Sequence, residues 1–253
     1  MAKKDKAPET KIEETSLDGM IALTPEQFVE MQGGGIQTVM SIGLSERLCL
    51  EDRQDRILYL DGEVDDDVLH TLIMQIAKIN GEDYGKPIEH RTPITLIINS
   101  GGGNAIVGMA LINAIQISKT PVIGVCLGIC ASMAFGIFAV CHTRLSVPDA
   151  TFMVHDGYEC QPLTTTTKAR DWSNFSPRLE NRYNKAIASR TKFTIKELEE
   201  ICTHDNWYFA DDLVDMGMVD AIIGRDVALE DIFSFMSDVP CECNNDECNC
   251  CKE

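Results

Sequence analysis

The chain of 253 residues lacks a long hydrophobic run and is poor in positive charge. No run of about 18 apolar residues occurs, and no apolar segment follows the N-terminal lysines, so we expect neither a membrane span nor a secretory signal. The sequence has 22 lysines and arginines against 40 aspartates and glutamates, a formal net charge of −18. Nucleic acids and anionic membranes repel an acidic protein, so neither is expected as a partner. We therefore expect a cytoplasmic protein.

Cysteine, in contrast, is abundant, with 11 residues. In a small secreted protein this number would suggest disulfides, but in a cytosolic one six are interpreted as reduced and mostly buried: Cys49, Cys126, Cys130, Cys141, Cys160 and Cys202. The remaining five crowd the C-terminus: Cys241, Cys243, Cys248, Cys250 and Cys251. Their spacing is tighter than that of ordinary zinc knuckles. A disordered or redox-sensitive tail is the favoured interpretation, and a shared soft metal is the alternative.

Composition divides the chain into four stretches. Residues 1–18 are charged and aperiodic, which indicates a disordered arm, and residues 19–55 mix apolar and glycine-rich segments typical of a loop or hairpin region. Residues 56–237 alternate strand and helix patterns, and residues 238–253 form the cysteine-rich tail. The alternation predicts βαβ units and a mostly parallel sheet in one α/β domain.

The individual elements of this domain follow from hydrophobic periodicity and from caps such as the Thr194 and Glu197 capping box. Strands are predicted at 56–62, 94–103, 121–128, 144–147, 151–156 and 219–223. Helices are predicted at 64–80, 105–118, 132–141, 166–190, 194–201 and 209–217.

Three polar residues stand at ends of these elements, where a rigid scaffold holds functional groups. Ser132 opens a helix after an apolar strand, His155 ends the strand TFMVH, and Asp205 lies in THDNWYF. A serine becomes nucleophilic when a histidine accepts its proton, and a carboxylate fixes the tautomer of that histidine. Each residue also has a structural interpretation. Ser132 suits a helix cap or a small core position, His155 suits a structural histidine, and Asp205 is one of several neighbouring acids.

The segment NSGGGNA, residues 99–105, offers glycine N–H groups at the end of a neighbouring strand. Such groups approach a substrate closely and can stabilise an oxyanion. The N–H of Met133, in the first turn of the following helix, is the natural second donor. Glycines also make turns, so the segment alone is a weak signal.

Four motifs together resemble the proteolytic subunit of the Clp protease family: INSGGG…GMA, GICASMA, FMVH and HDNWYFADDLVDMGMVDAI. They occur in the family's order, from about Arg56 to Ile223. The resemblance assigns Ser132 as nucleophile, His155 as general base and acid, and Asp205 as the orienting carboxylate. The resemblance, not composition, selects Asp205 among its acidic neighbours.

The family's glycine motif is matched at Gly102 and Gly103, and Gly101 stands where the family usually has proline. The resemblance implies that Gly102 and Gly103 bind the substrate. It also implies that the N–H groups of Gly103 and Met133 form the oxyanion hole.

The resemblance implies a Clp/crotonase-type α/β fold, a spiral of repeated ββα units with a protruding handle helix. It implies an ATP-dependent serine endopeptidase that cleaves unfolded proteins or peptides through an acyl-enzyme. The active sites would lie inside heptameric rings that stack as a double ring, a tetradecamer. A hexameric unfoldase would use the ATP and feed the rings, so no cofactor is expected in this chain.

Several departures from the family keep alternatives open. HDGYECQPLTTTT replaces the usual HQP and glycine-rich strand, and positions aromatic in the unfoldase-docking groove read as Leu96, Ile98 and Ile117. A phage-type head-maturation or unfoldase-independent peptidase fits these departures. An acyl-CoA enzyme of the crotonase fold would explain the glycines but would not require the three polar residues. An inactive ring subunit would be expected to lack one of those residues, and none is missing.

Overall fold

The computed structural model describes residues 52–157 and 165–234, together with two short strands near the N-terminus. These strands, β1 (Ser16–Leu17) and β2 (Met20–Ile21), pair antiparallel within the unit Met1–Glu46. Apart from Ser16–Leu17, the predicted arm lies outside the described residues, as do most of the N-terminal loop region, Cys49, Cys160 and the five tail cysteines. Their assignments stay predictions.

In the second unit, Arg47–Glu253, the described residues form a seven-stranded sheet. The seven strands are β3 (Ile57–Val64), β4 (Ile94–Gly103), β5 (Val122–Ala131), β6 (Thr143–Ser146), β7 (Thr151–Val154), β8 (Asn206–Phe209) and β9 (Ala221–Ile222). Five of them lie side by side and run parallel, in the order β3, β4, β5, β6 and β9. Of the other two, β7 pairs parallel with β5, and β8 pairs antiparallel with β7.

Helices connect these strands, which confirms the predicted mixed α/β fold. The α-helices that lie wholly within the described residues are α1 (Met74–Glu82), α2 (Ala105–Ile117), α3 (Met133–Ala139), α4 (Thr166–Ala188), α5 (Ile195–Ile201), α6 (Ala210–Val214) and α7 (Asp231–Ser234). The long helix α4 matches the predicted handle, and α5 begins at the predicted capping box of Thr194 and Glu197. None of these helices is both long and apolar enough to cross a membrane.

The helix predicted over 64–80 begins later in the structure. β3 continues through Val64, which pairs with Gly103, and the backbone N–H of Asp67 donates to Oδ1 of Asp65 at 3.0 Å in the turn that follows. A π-helical turn, Leu69–Ile73, then leads into α1. The predicted start of the helix at residue 64 is wrong because Val64 is paired in the sheet. The aspartates that follow Val64 favour a turn, which competes with the helix.

The hydrophobic core encloses the end of β5 and all of α3. Every residue of α3 is buried, and Phe138 stacks at a tilt on Phe152 of β7 with ring centroids 5.4 Å apart. Burying a side chain of this size contributes about 1.5–3 kcal/mol. The junction between β5 and α3 is therefore held between well-packed elements.

β5 changes partners along its length. Its first half, Ile123–Cys126, pairs with β6, and its last residues, Ile129–Ala131, pair with β7. The end of β5 thus leaves the main path of the sheet and lies between β4 and β7. Ligands and reacting groups commonly gather where an α/β sheet changes its strand order.

The structure corrects the docking positions expected from the family resemblance. Leu96 and Ile98 are fully buried in the core, so their assignment to a surface groove is wrong, whereas Ile117 is exposed. A surface depression at β3, β4 and β5 is lined instead by Tyr59, Asp61, Ile97, Asn99 and Leu127. Because strand side chains alternate between faces, a shift of one position exchanges the core for the surface.

Candidate active site

The first contact of the site joins the ends of β5 and β7. Ala131 pairs with Met153, and the N–H of Ser132 donates to the carbonyl oxygen of Met153 at 2.8 Å. This pairing brings Ser132 beside His155, the residue that follows β7. Oγ of Ser132 lies 2.7 Å from Nε2 of His155, which is a hydrogen-bond distance.

The second contact joins the end of β7 to the start of β8. Val154 pairs antiparallel with Asn206, so the next residues along, His155 and Asp205, face each other. Oδ1 of Asp205 lies 3.4 Å from Nδ1 of His155. The carboxylate therefore contacts the ring nitrogen that faces away from Ser132. The His155 side chain is buried, and the Asp205 side chain is half exposed.

The C-terminal end of α5 fixes the loops that carry His155 and Asp205. The N–H of Asp156 donates to the carbonyl oxygen of Cys202 at 2.7 Å. The side-chain amide of Asn206 donates to the carbonyl oxygen of Ile201, the last residue of α5. These bonds hold the backbone next to His155 and next to Asp205.

Ser132 has an unusual backbone conformation, with φ 52° and ψ −119°. A non-glycine residue with positive φ costs on the order of 1–3 kcal/mol and persists only when its surroundings hold it. Ser132 is the N-cap residue of α3, yet among the described residues its hydroxyl contacts His155 and makes no capping bond. The hydroxyl is thus directed toward the imidazole rather than the helix.

Two glycines allow the β4 end to pack against this turn. Gly102 has φ 99°, and a Cβ there would lie 2.8 Å from the Met133 nitrogen and from Cβ of Ser132. Gly103 has φ 148°, and a Cβ there would lie 2.5 Å from the Val64 carbonyl oxygen. Both positions therefore require glycine. The predicted glycine segment and the Ser132–Met133 turn lie together.

One contact of the site was missed by sequence reasoning. The hydroxyl of Tyr183, on α4, donates to the carbonyl oxygen of Ser132 at 2.7 Å. Burial raises the pKa of Tyr183, so this hydroxyl stays protonated and able to donate. The one sequence signal for it is Gly136 in the apolar helix α3, because the Tyr183 ring occupies the space that a side chain there would fill.

Buried thiols lie on β5 and just after α3 and α5, the elements that carry the site. The described cysteines Cys126, Cys130, Cys141 and Cys202 are reduced and buried, as predicted for them. Burial raises the pKa of both Cys141 and Cys202 to about 12 and also raises that of Cys130. Because the thiolate is the nucleophilic form, these groups are inert. The described residues contain no cluster of three or more metal-binding side chains.

A sequence profile described as Clp protease matches residues 47–226. The chain belongs to the Clp protease family. This membership confirms the resemblance drawn from the four motifs. It also places the chain among peptidases of the Clp type rather than among acyl-CoA enzymes of the same fold.

Relatives in the Clp protease family include the "ATP-dependent Clp protease proteolytic subunit 3" of Synechococcus sp. (strain CC9902) and that of Parasynechococcus marenigrum (strain WH8102). Each is 29% identical over 179 residues, which cover 68% of this chain and 84% of the relative. The subunit 3 of Synechococcus sp. (strain CC9605) is 28% identical over the same length. The chain is thus a divergent Clp protease.

We expect Gly102→Ala to lower peptidase activity strongly. The new methyl group would collide with the Met133 nitrogen and with Ser132 at a positive φ, and a displacement of about 1 Å in an active site can cost about 100-fold in rate. The measurement is kcat/KM on a short fluorogenic peptide.

Gly101→Ala is the matched control, because a Cβ at Gly101 meets none of the described atoms within 4 Å. It is expected to retain activity within about twofold, as surface substitutions usually do. Equal activities of the two variants would contradict the packing described for Gly102.

Proposed function

We propose that this chain is a serine endopeptidase that hydrolyses peptide bonds of unfolded proteins or peptides. The observation that carries the proposal is the 2.7 Å contact between Oγ of Ser132 and Nε2 of His155 in a Clp protease. The 3.4 Å approach of Asp205 to the other ring nitrogen supports it. In the proposal Ser132 is the nucleophile, His155 the general base and acid, and Asp205 the orienting carboxylate.

In the first step, Oγ of Ser132 attacks the scissile carbonyl carbon while Nε2 of His155 accepts the hydroxyl proton. The carbonyl π electrons move to oxygen and form an oxyanion. The tetrahedral intermediate then collapses, the C–N bond breaks, and His155 returns its proton to the leaving amine. An acyl-enzyme on Ser132 remains. Asp205 holds the Nδ1 proton and stabilises the imidazolium throughout.

In the second step, water attacks the acyl carbon while Nε2 of His155 accepts a proton from that water. The second tetrahedral intermediate then collapses, the ester bond to Oγ breaks, and His155 returns the proton to Oγ of Ser132 as the carboxylic acid product leaves. The N–H groups of Gly103 and Met133 are proposed as the oxyanion hole for both steps. The packing of Gly102 on the Met133 nitrogen supports this pairing, because it brings the β4 end to the start of α3. One such donor contributes about 100- to 1,000-fold to kcat. Gly102 and Gly103 would also contact the substrate backbone.

We further propose that the chain works inside heptameric rings stacked as a double ring and supplied by a hexameric unfoldase. Members of the Clp protease family usually form rings with unfoldase partners. Exposed aromatic side chains on α4, Trp172 and Phe175, with ring centroids 5.7 Å apart, support a subunit contact along the handle. In this proposal the protein is cytoplasmic, the unfoldase uses the ATP, and this chain needs no cofactor.

The triad is tested by fluorophosphonate labelling. The probe is expected to label the wild type once per chain at Ser132, and Ser132→Ala is expected to abolish both labelling and peptidase activity. Asp205→Asn should lower kcat by about 10⁴-fold, because it leaves the wrong histidine tautomer. Labelling is read by intact-mass spectrometry.

Ser173→Ala serves as the control, since Ser173 is an exposed serine on α4. It should behave as the wild type in both assays. Labelling that survives Ser132→Ala would refute the assignment of the nucleophile.

The compartment is tested by measuring particle mass and substrate preference on one sample. A double heptamer has about fourteen times the subunit mass of 28.0 kDa. Its enclosed sites should cleave a short peptide but spare a folded protein when no unfoldase is present. Rapid degradation of unfolded protein without ATP would favour the unfoldase-independent alternative. A monomer that cleaves folded proteins would contradict the compartment.

A further inference from the structure

The peptide group between Ser132 and Met133 links two parts of the site. A trans peptide is planar and rigid, and its carbonyl oxygen and its N–H lie in the same plane and point in opposite directions. The carbonyl belongs to Ser132 and the N–H belongs to Met133. A group that fixes the direction of the Ser132 carbonyl therefore also fixes the direction of the Met133 N–H.

Tyr183 is such a group. Its hydroxyl donates to the Ser132 carbonyl oxygen at 2.7 Å, across 51 residues of sequence. The N–H of Phe135 donates to the same oxygen at the longer distance of 3.1 Å, which is the ordinary bond of a helix start. The tyrosine thus adds a short bond from α4 to the peptide that begins α3.

The fit of the Tyr183 ring requires glycine at position 136. A Cβ at Gly136 would lie 2.0 Å from the nearest ring carbon of Tyr183. The ring therefore rests directly on the backbone of α3, and its hydroxyl reaches the Ser132 carbonyl. Burial raises the pKa of Tyr183, while an interaction with the Gly136 backbone acts in the opposite direction. The hydroxyl therefore stays protonated and able to donate at neutral pH.

The strained conformation of Ser132 explains why a second anchor is useful. Positive φ at a non-glycine residue is maintained only by its surroundings. The N–H of Ser132 is held by Met153 of β7, and its carbonyl oxygen is held by Tyr183 of α4. The two bonds fix the peptides on both sides of the serine Cα.

We propose that Tyr183 is a positioning residue that orients the Ser132–Met133 peptide and thereby directs the Met133 N–H at the substrate oxyanion. The inference rests on the proposed serine-peptidase function and assigns Tyr183 no contact with substrate. Because the oxyanion exists only in the transition state and the intermediates, loss of this orientation lowers kcat and leaves KM nearly unchanged.

The test uses Tyr183→Phe, which keeps the ring on Gly136 and removes the hydroxyl. We expect kcat to fall by about 10- to 100-fold, with KM changed by less than about twofold. This decrease in kcat does not exceed the decrease of about 100- to 1,000-fold that follows the removal of one oxyanion-hole donor. Rates are normalised to the sites titrated with fluorophosphonate. Tyr84→Phe is the control, because Tyr84 is exposed and its variant should match the wild type.

A peptide boronate, which mimics the tetrahedral state, separates positioning from general stability. Its inhibition constant should rise by the same factor by which kcat/KM falls, while that of a noncovalent product peptide should stay constant. A purely structural role would lower the melting temperature and the titrated fraction but not kcat per titrated site. Gly136→Ala, which displaces the ring and retains the hydroxyl, provides a second variant and should lower kcat in the same way.

Two outcomes overturn the inference separately from the function. If Ser132→Ala is inactive but Tyr183→Phe has wild-type kcat per titrated site, the positioning role is wrong and the triad stands. An equal loss of affinity for the boronate and the product peptide would also reject it. If Ser132→Ala retains activity, the proposed function itself fails.

Discussion

The pairing of β7 with β5 on one side and with β8 on the other determines the geometry of the candidate site. The parallel pair places Ser132 beside His155, and the antiparallel pair places Asp205 opposite the same histidine. A slip of one residue in either pair would turn a side chain to the other face of the sheet. Three segments distant in sequence thus meet through backbone hydrogen bonds. The fully buried helix α3 keeps the serine end of this arrangement rigid.

Much of this arrangement could be predicted because it is local in sequence. The apolar run around Ser132 indicated a buried strand followed by a buried helix, and β5 and α3 occupy that segment. The alternation of strands and helices predicted the parallel sheet, and the Thr194 capping box marked the start of α5. The positions of Ser132, His155 and Asp205 at element ends, together with the order of the motifs, indicated these three residues as the candidate site. In the structure they are in contact.

Other features depend on contacts between distant segments and could not be read from local patterns. Tyr183 lies in a polar helix, and its hydroxyl donates to the carbonyl oxygen of Ser132, which is 51 residues earlier in the sequence. The strain at Ser132 is a property of the packed turn and not of the residue type. Leu96 and Ile98 belong to an apolar run that is buried throughout Ile94–Ile98, so no alternation reveals which side faces the surface. The change of partners along β5 likewise emerges only in the assembled sheet.

The most direct test of the account is a crystal structure of the protein inactivated by a peptide chloromethyl ketone. Chloride leaves when Nε2 of His155 bonds to the inhibitor methylene, and Oγ of Ser132 adds to the ketone carbon. The account predicts both bonds in one adduct. The former ketone oxygen of the inhibitor should lie within hydrogen-bond distance of the Gly103 and Met133 nitrogens. Attachment to any other residue, or an oxygen directed away from both nitrogens, would contradict it.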